Sequence, residues 1–441
     1  MRAREPEQAG FVERDGVRVA YEVFGPVGPT VILLPSWQIV HSRQWKLQAP
    51  YLSRHLRVIT YDARGNGRSD RPGEVDRYEP RQIVADAIGV LDAVGVSQAV
   101  FAGTSMGALY GLQAAAWYPE RVRGVVAIGA VAPGVAPVEP GASPFYDVAA
   151  AGSVAAFCAD RCLPDYRAFV EYFMHAAITE PHRTKPIEDA VGWGMETTPE
   201  VLALTVAARE GLTRTAFEEV CRAVRCPVLV VHGDEDGIIP FDHGVALAEL
   251  LGVDLVTLEG SGHLPSLGDP VRCNLLIREF VDGCRTTRPR RWSRALNRRR
   301  RALVVSSPIG LGHARRDVAI VDELRTLHPD LEVQWLAQHP VTQVLAEHGE
   351  CVHPASRLLA GESAHVESEC GEHDLHVFQS IRRMDEILLA NFMVFHDVAA
   401  EEPFDLVVAD EGWDIDYFLH ENPELKRSPF AWLTDFVGWL P

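Results

Sequence analysis

Gly103-Thr104-Ser105-Met106-Gly107 stands where an apolar, β-like run at 99–103 passes into an Ala-, Leu- and Gln-rich segment with helical spacing. A serine in so tight a strand-to-helix turn has strained backbone angles, and small flanking residues let the strand and the helix approach. Its hydroxyl then lies at the positive end of the helix dipole, beside a free backbone N–H. The pattern predicts that Ser105 is a nucleophile, although by itself it equally fits a serine that caps a helix.

Strand-like and helical segments alternate on both sides of Ser105. A hairpin-like segment, the run TVILL at 30–34 and RVITYD at 57–62 precede it, and VRGVVAIGA follows it. This alternation predicts an α/β fold with a parallel sheet covered on both faces. From about 134 to 223 the pattern changes to short helical pieces rich in Pro, Gly and Ala. We interpret that interruption as a helical cap over the carboxyl edge of the sheet.

Residues 11–284 resemble the α/β-hydrolases, a family whose nucleophile, acid and histidine follow in that chain order, each after a strand. Ser105 occupies the nucleophile position, Asp236 in HGDED (232–236) the acid position, and His263 in GSGH (260–263) the base position. The YDARGNGRSD stretch at 61–70 also resembles a family loop. The resemblance implies that His263 takes the Ser105 proton while Asp236 orients the imidazole. Asp234 competes for the acid role, and we interpret it as a turn residue.

The expected oxyanion hole departs from the family pattern. Where the family has His-Gly, this chain has Pro35-Ser36. The resemblance assigns the two donor N–H groups to Trp37 and Met106, with Ser36 or His41 as alternative contributors. A missing donor would cost about 3–4 kcal/mol of transition-state stabilisation. Some aromatic residues could line the pocket or only pack, namely Trp45 and, in the cap, Phe169, Phe173 and Trp193.

The totals constrain the class of protein. A chain of 441 residues predicts two or more domains, and 47% hydrophobic and 23% charged residues are ordinary for a globular protein. We expect no transmembrane segment and no signal peptide, hence a cytoplasmic location. A net charge of −19 argues against nucleic acid as a partner. The eight cysteines lack zinc-site spacing, so we expect no metal and no cofactor.

Residues 286–301, TTRPRRWSRALNRRRR, contain eight arginines and no acidic residue. Such a run is typical of a solvated linker, with binding to RNA or to an anionic membrane surface as the alternative. We therefore predict an α/β-hydrolase domain at 1–285, an arginine-rich linker at 286–301 and a second α/β, Rossmann-like domain at 302–441.

The second domain resembles the acceptor-binding, amino-terminal half of glycosyltransferases built from two Rossmann domains. The resemblance rests on the loop PIGLGH (308–313), with Gly310 and Gly312, and on FDLVVADEGWD at 404–414. It implies that His313 deprotonates an acceptor hydroxyl, oriented by Asp410 or Glu411, unless His313 only closes the turn. The sequence contains no sugar-nucleotide-binding half, so we expect no transfer by this chain alone and a partner that supplies that half. HVESECGEHDLH (365–376) fits a polar loop or helix face better than a metal site.

Together these patterns predict a serine hydrolase that acts on a small-molecule substrate. Ser105 attacks an ester-like carbonyl, and His263 activates the water that clears the acyl-enzyme. A serine at this position argues against haloalkane or epoxide chemistry, for which the family uses aspartate. The alternatives are a glycosyltransferase-related protein assisted by its hydrolase half, and a binding module without activity. The intact Ser-Asp-His order argues against the binding module.

Overall fold

The computed structural model describes residues 2–26, 28–136, 165–209, 212–283, 299–370, 374 and 376–435. The chain divides into two compact units, a first unit of Glu5–Arg288 and a second unit of Met1–Arg4 with Pro289–Pro441. Most of the predicted linker, and positions 137–164 and 210–211 of the predicted cap, lie outside the described residues. No helix in the described part of the chain has the length and apolar character needed to cross a membrane.

The first unit is built on an eight-stranded mixed sheet. In chain order its strands are β1 (Gln8–Arg14), β2 (Val17–Phe24), β3 (Thr30–Leu34), β4 (Arg57–Tyr61), β5 (Ala99–Thr104), β6 (Val122–Ile128), β7 (Val228–Gly233) and β8 (Leu255–Leu258). The spatial order is β1-β2-β4-β3-β5-β6-β7-β8. β2 pairs antiparallel with β1 and β4, and all other pairs are parallel.

Helices connect these strands. They are α1 (Ala49–Leu52), α2 (Pro80–Ala93), α3 (Met106–Trp117), α4 (Tyr166–Ala177), α5 (Thr184–Gly194), α6 (Pro199–Ala207), α7 (Arg214–Ala223), α8 (Phe241–Leu251), α9 (Pro265–Gly268) and α10 (Pro270–Gly283). The first ten residues of α3 are all buried, because this helix packs on β5 and β6 in the middle of the sheet. The predicted α/β class is thereby confirmed, and α4 to α7 occupy the described part of the predicted cap.

The second unit has an all-parallel, four-stranded sheet in the order β10-β9-β11-β12. Its strands are β9 (Arg301–Ser306), β10 (Glu332–Ala337), β11 (Leu406–Asp410) and β12 (Phe430–Leu433). Its helices are α11 (Leu311–Leu327), α12 (Val341–Glu347), α13 (Glu362–Glu369), α14 (Val377–Arg382), α15 (Asp385–Glu401) and α16 (Trp413–Glu421). Its core includes Ala302, Val318 and the fully buried Trp335. The parallel pairing agrees with the strand–helix alternation of the sequence.

Candidate active site

Ser105 lies in a strained turn between β5 and α3. Its backbone has φ +59° and ψ −119°, a conformation that a side-chain-bearing residue rarely adopts. A Cβ added to Gly103 would lie 2.3 Å from the carbonyl carbon of Gly107, and one added to Gly107 would lie 2.6 Å from the carbonyl oxygen of Pro35. Both glycines are therefore required by the close approach of strand and helix, as the sequence predicted for this geometry.

His263 and Asp236 are brought together by the ends of neighbouring strands. Asp236 follows β7 and His263 follows β8, and the Nδ1 atom of His263 lies 2.7 Å from Oδ2 of Asp236. Both side chains are buried. The other ring nitrogen of His263, Nε2, is buried and has no hydrogen-bond partner among the described residues, so the expected bond to Ser105 is not formed here. Hydrogen bonds of this kind often tighten only when substrate is bound.

The Asp236 carboxylate is surrounded by donors. Its Oδ1 atom accepts the N–H groups of Ile238 and Ile239, each at 2.8 Å. Its Oδ2 atom contacts His263 and lies 3.1 Å from Nε2 of His232. Burial opposes ionisation, but the neighbouring His263 and the hydrogen bonds from both imidazoles hold the pKa of Asp236 below its usual range. Asp236 is therefore a carboxylate that can stabilise an imidazolium.

Asp234 agrees with its interpretation as a turn residue, whereas the role of His232 was not expected. Asp234 is exposed and accepts the backbone N–H of Gly260 at 2.7 Å, which is the contact of a turn residue. His232 was not singled out by the sequence, although it is fully buried at the end of β7 and contacts Asp236. The sequence feature that could have identified His232 is its place in a buried strand, four residues before the proposed acid.

The cap residues hold the loop that carries His263. The carbonyl oxygen of Ala177, the last residue of α4, accepts the backbone N–H groups of His263 at 2.8 Å and Leu264 at 3.1 Å. Glu180 accepts the N–H of Gly262 and the hydroxyl of Ser261, both at 2.9 Å. The position of the histidine loop is thus fixed from the cap side.

The segment that follows β3 contacts the cap through aromatic residues. The Trp37 indole donates to the Thr205 hydroxyl at 2.8 Å, and its ring lies edge-on to Phe169 and Phe173 at centroid distances of 6.4 and 5.6 Å. The Trp193 ring contacts His41 at 5.7 Å. These aromatic cap residues therefore pack onto the segment that carries the expected oxyanion donor.

Other residues of this segment are part of the protein core. Trp45 is fully buried and donates its indole N–H to the Leu34 carbonyl at 2.9 Å, so it is a packing residue. Burial lowers the pKa of His41 in spite of the nearby carboxylates of Asp62 and Glu196. The buried Ser36 also belongs to this segment. Met106 begins α3 directly after Ser105, the position expected for the second oxyanion donor.

The second unit contains a cavity of about 820 Å³ at the carboxyl ends of β9 and β11. Gly310 precedes α11 and Gly312 lies in its first turn, next to His313. The Nδ1 atom of His313 lies 3.0 Å from Oδ2 of the buried Asp410, and both residues line the cavity. Arg316 forms a salt bridge with the same carboxylate. The predicted proximity of His313 and Asp410 is therefore present.

One described group of side chains has a geometry that could suit a cation. The ligand atoms of His313, Glu411 and Asp435 lie within 4.8 Å of one another. However, Glu411 accepts hydrogen bonds from Trp413 at 2.6 Å and from Thr434 at 3.2 Å, and Asp435 pairs with Arg316. These oxygens are committed to protein donors, which does not favour a metal.

The polar cluster at 365–376 is partly described. His365 is fully buried on α13, and its Nε2 atom lies 3.0 Å from the Ser380 carbonyl oxygen. Glu369 pairs with Arg383 at 2.6 Å. Positions 371–373 and 375 lie outside the described residues. The described residues of the cluster thus make contacts within the protein.

Comparison with known proteins concerns the first unit. Residues 29–152 match the family described as alpha/beta hydrolase fold. The chain is 30% identical to 2-hydroxymuconate semialdehyde hydrolase of Pseudomonas sp. strain CF600 over 243 residues, which are 54% of this chain and 80% of that protein. It is 28% identical over 257 residues to the pimeloyl-[acyl-carrier protein] methyl ester esterase of Aromatoleum aromaticum, covering 58% of this chain and 99% of that one.

A solved structure extends the comparison. The esterase RhEst1 of Rhodococcus sp. ECU1013 is 25% identical, with a TM-score of 0.53, and covers 63% of this chain and 98% of its own. These similarities agree with the architecture of the first unit. In that unit a strained turn carries the serine, and the ends of neighbouring strands bring an aspartate and a histidine together. The chain belongs to the alpha/beta hydrolase family and is an enzyme of the hydrolase type.

Proposed function

We propose that the first unit is a serine hydrolase that cleaves an ester-like acyl bond, with Ser105 as nucleophile, His263 as base and Asp236 as the acid. The observation that carries this proposal is the 2.7 Å contact between His263 and an ionised Asp236, beside a strained serine turn. The carboxylate holds the proton on Nδ1, which leaves Nε2 of His263 free to accept the Ser105 proton.

The reaction proceeds in two halves. Ser105 Oγ attacks the carbonyl carbon while its proton passes to His263, and the N–H groups of Met106 and Trp37 stabilise the oxyanion. The intermediate expels the alcohol, which receives the proton from His263 and leaves the acyl group on Ser105. Water then attacks the acyl-enzyme after losing a proton to His263, and the carboxylic acid leaves as Ser105 regains its proton. The named relatives, a semialdehyde hydrolase and a methyl ester esterase, support hydrolysis as the reaction class.

Covalent labelling tests the proposal. A fluorophosphonate should modify Ser105, as located by peptide mass spectrometry, and p-nitrophenyl butyrate should be hydrolysed. Ser105→Ala should abolish both, whereas Ser97→Ala, at an exposed position of the same unit, should alter neither. Turnover or labelling that persists in folded Ser105→Ala would overturn the assignment of the nucleophile.

We also propose that the second unit binds a hydroxyl-bearing acceptor, as the glycosyltransferase resemblance implies. The supporting observation is the 3.0 Å contact between His313 and Asp410 at the wall of the 820 Å³ cavity. With Nδ1 held by the buried carboxylate, His313 could take a proton from a bound hydroxyl through Nε2. Glycosyl transfer to that hydroxyl would in addition require a bound sugar nucleotide as the donor.

A fluorescent phenol tests this second proposal. We expect 4-methylumbelliferone to bind with an increase in its phenolate emission, and its methyl ether to show no such change. His313→Ala should abolish the increase, whereas His328→Ala, just after α11, should preserve it. If the wild type gives no increase, or if His313→Ala retains it, the proposal is wrong.

A further inference from the structure

Buried polar atoms surround Tyr110, on the helix that begins directly after Ser105. The Tyr110 hydroxyl lies beside the Arg209 guanidinium and the Gln38 amide, and Tyr110 and Gln38 are both buried. Neither amide atom of Gln38 has a hydrogen-bond partner among the described residues, and the same holds for the buried Nε and Nη2 atoms of Arg209. These three residues, the Arg209 cluster, thus contain more donors than acceptors.

The unpaired atoms of Arg209 form one edge of its guanidinium. Nε–H and Nη2–H on this edge point in the same direction, which is the fork that binds both oxygens of a carboxylate. Arg64 in the same unit uses this edge on Asp86, with Nε at 2.7 Å and Nη2 at 2.6 Å. No ion pair of Arg209 with a carboxylate is found within the described part of the chain.

A buried cation without a counter-charge is unfavourable. Burial lowers the pKa of Arg209, and the adjacent Tyr110 only partly opposes that effect. The guanidinium also lies over the Trp37 ring, 5.6 Å from its centroid, which offers a weak cation–π contact and no negative charge. An anion from outside the protein would satisfy the free edge.

The Arg209 cluster lies near the proposed reaction centre. Tyr110 is five residues beyond Ser105, which corresponds to about 7.5 Å along a helix axis. Gln38 follows Trp37, whose N–H is the proposed oxyanion donor. The hydrogen bond of Trp37 with Thr205 on α6 holds the end of that helix, and hence Arg209, beside this segment.

We propose that Arg209, together with Gln38 and Tyr110, binds a carboxylate on the acyl part of the substrate, so that the preferred substrates are half-esters of dicarboxylic acids. This inference rests on the proposed function, because Ser105 as nucleophile defines where the acyl chain lies. Gln38 and Tyr110 can donate further hydrogen bonds to the same carboxylate.

A matched pair of substrates tests the inference. The mono-p-nitrophenyl ester of adipic acid and p-nitrophenyl hexanoate have acyl chains of equal length and differ in the terminal carboxylate. The wild type should have the higher kcat/KM for the adipate ester. Arg209→Gln should reduce the ratio of the two kcat/KM values by about 30-fold, as expected for the loss of a buried, hydrogen-bonded charge partner. Arg209→Lys should retain part of the preference.

Controls separate the possible failures. Arg18→Gln removes an exposed arginine of the same unit and should leave the ratio at the wild-type value. Fluorophosphonate labelling of Ser105 in every variant reports folding and the proposed nucleophile independently of the carboxylate. If labelling succeeds but the wild type does not favour the adipate ester, or if Arg209→Gln slows both substrates equally, this inference is overturned. If labelling of Ser105 fails in the wild type, the proposed function fails.

Discussion

The Nε2 atom of His232 lies 3.1 Å from Oδ2 of Asp236, the oxygen that also holds the His263 imidazole. The same Nε2 atom lies 3.0 Å from the carbonyl oxygen of Ile239. Since both neighbours are acceptors, Nε2 carries the proton, and the buried Nδ1 atom has no hydrogen-bond partner among the described residues. His232 is therefore a donor to the proposed acid and positions it.

Removal of this donor should weaken catalysis without abolishing it. In His232→Gln we expect kcat/KM for p-nitrophenyl butyrate to fall about 10-fold, the equivalent of one hydrogen bond to a charged group. The hydrogen bond from His232 lowers the pKa of Asp236, so that its loss should raise this pKa. The fall in kcat/KM relative to wild type should therefore become larger as the pH is lowered toward the range in which Asp236 titrates. A pH–rate profile measures this, with the exposed His175→Gln on α4 as the control; an unchanged acid limb would refute the positioning role.

Gly107→Ala should destabilise the first unit and impair the site. The new Cβ would lie 2.6 Å from the Pro35 carbonyl oxygen, a backbone atom just before Ser36 and Trp37. We expect a loss of about 1–3 kcal/mol in the free energy of unfolding, as for other overpacked positions, together with reduced turnover. Urea denaturation provides the measurement. Gly73→Ala, where no atom lies within 4 Å of the added Cβ, should behave as wild type.

The buried ion pair of Arg64 with Asp86 should contribute much more to the free energy of unfolding than an exposed ion pair does. Arg64 is fully buried and binds Asp86 through two nitrogens, whereas the Arg18–Asp70 pair at 3.1 Å is largely exposed. Arg64→Met leaves a buried carboxylate with one fewer partner, and we expect about 3 kcal/mol of destabilisation. Arg18→Met should have little effect on the free energy of unfolding, because water screens the exposed pair. Equal effects of the two substitutions in chemical denaturation would contradict this account.

Asp414 should make the second unit less stable as the pH rises. Burial and the nearby Glu362 raise the pKa of Asp414 to about 7. Because the folded protein binds this proton more tightly than the unfolded chain does, the associated stability is complete below the unfolded pKa and is lost as the pH rises through about 7.

Asp414→Asn tests this dependence. The amide should raise the melting temperature of the second unit at alkaline pH, by about 2–4 °C for each kcal/mol gained. It should have little effect near pH 3, below the pKa of about 3.9 that this carboxyl has in the unfolded chain. Asp416→Asn, on the same helix, is the matched control. A gain at acidic pH equal to that at alkaline pH would show that charge is not the cause.

The serine turn could be predicted from sequence because its constraint is local. Gly103 and Gly107 lie within two residues of Ser105, and the clash that excludes a side chain involves the adjoining strand and helix. The proximity of Asp236 and His263 could be anticipated because the ends of neighbouring parallel strands meet at one edge of a sheet.

The remaining features depend on tertiary contacts that spacing does not encode. Trp37 and Thr205 are hydrogen-bonded although 168 positions separate them, and this contact brings Arg209 to the segment after β3. Trp45 could equally have lined a pocket, and its complete burial together with its hydrogen bond to the Leu34 carbonyl identifies it as a core residue. His232 gains its role from the folding of the following turn, which places the Asp236 carboxylate 3.1 Å from its Nε2 atom.

The hydrogen bonds from His263 and Leu264 to the Ala177 carbonyl join two parts of the enzyme that are usually considered separately. Helix α4, which belongs to the predicted cap, is tethered to the backbone of the proposed base His263. A substrate that displaces the end of α4 on entry must also shift this backbone. Substrate entry would then be coupled to the position of His263. Substitutions near Ala177 would therefore alter the reaction rate even where they do not contact the substrate.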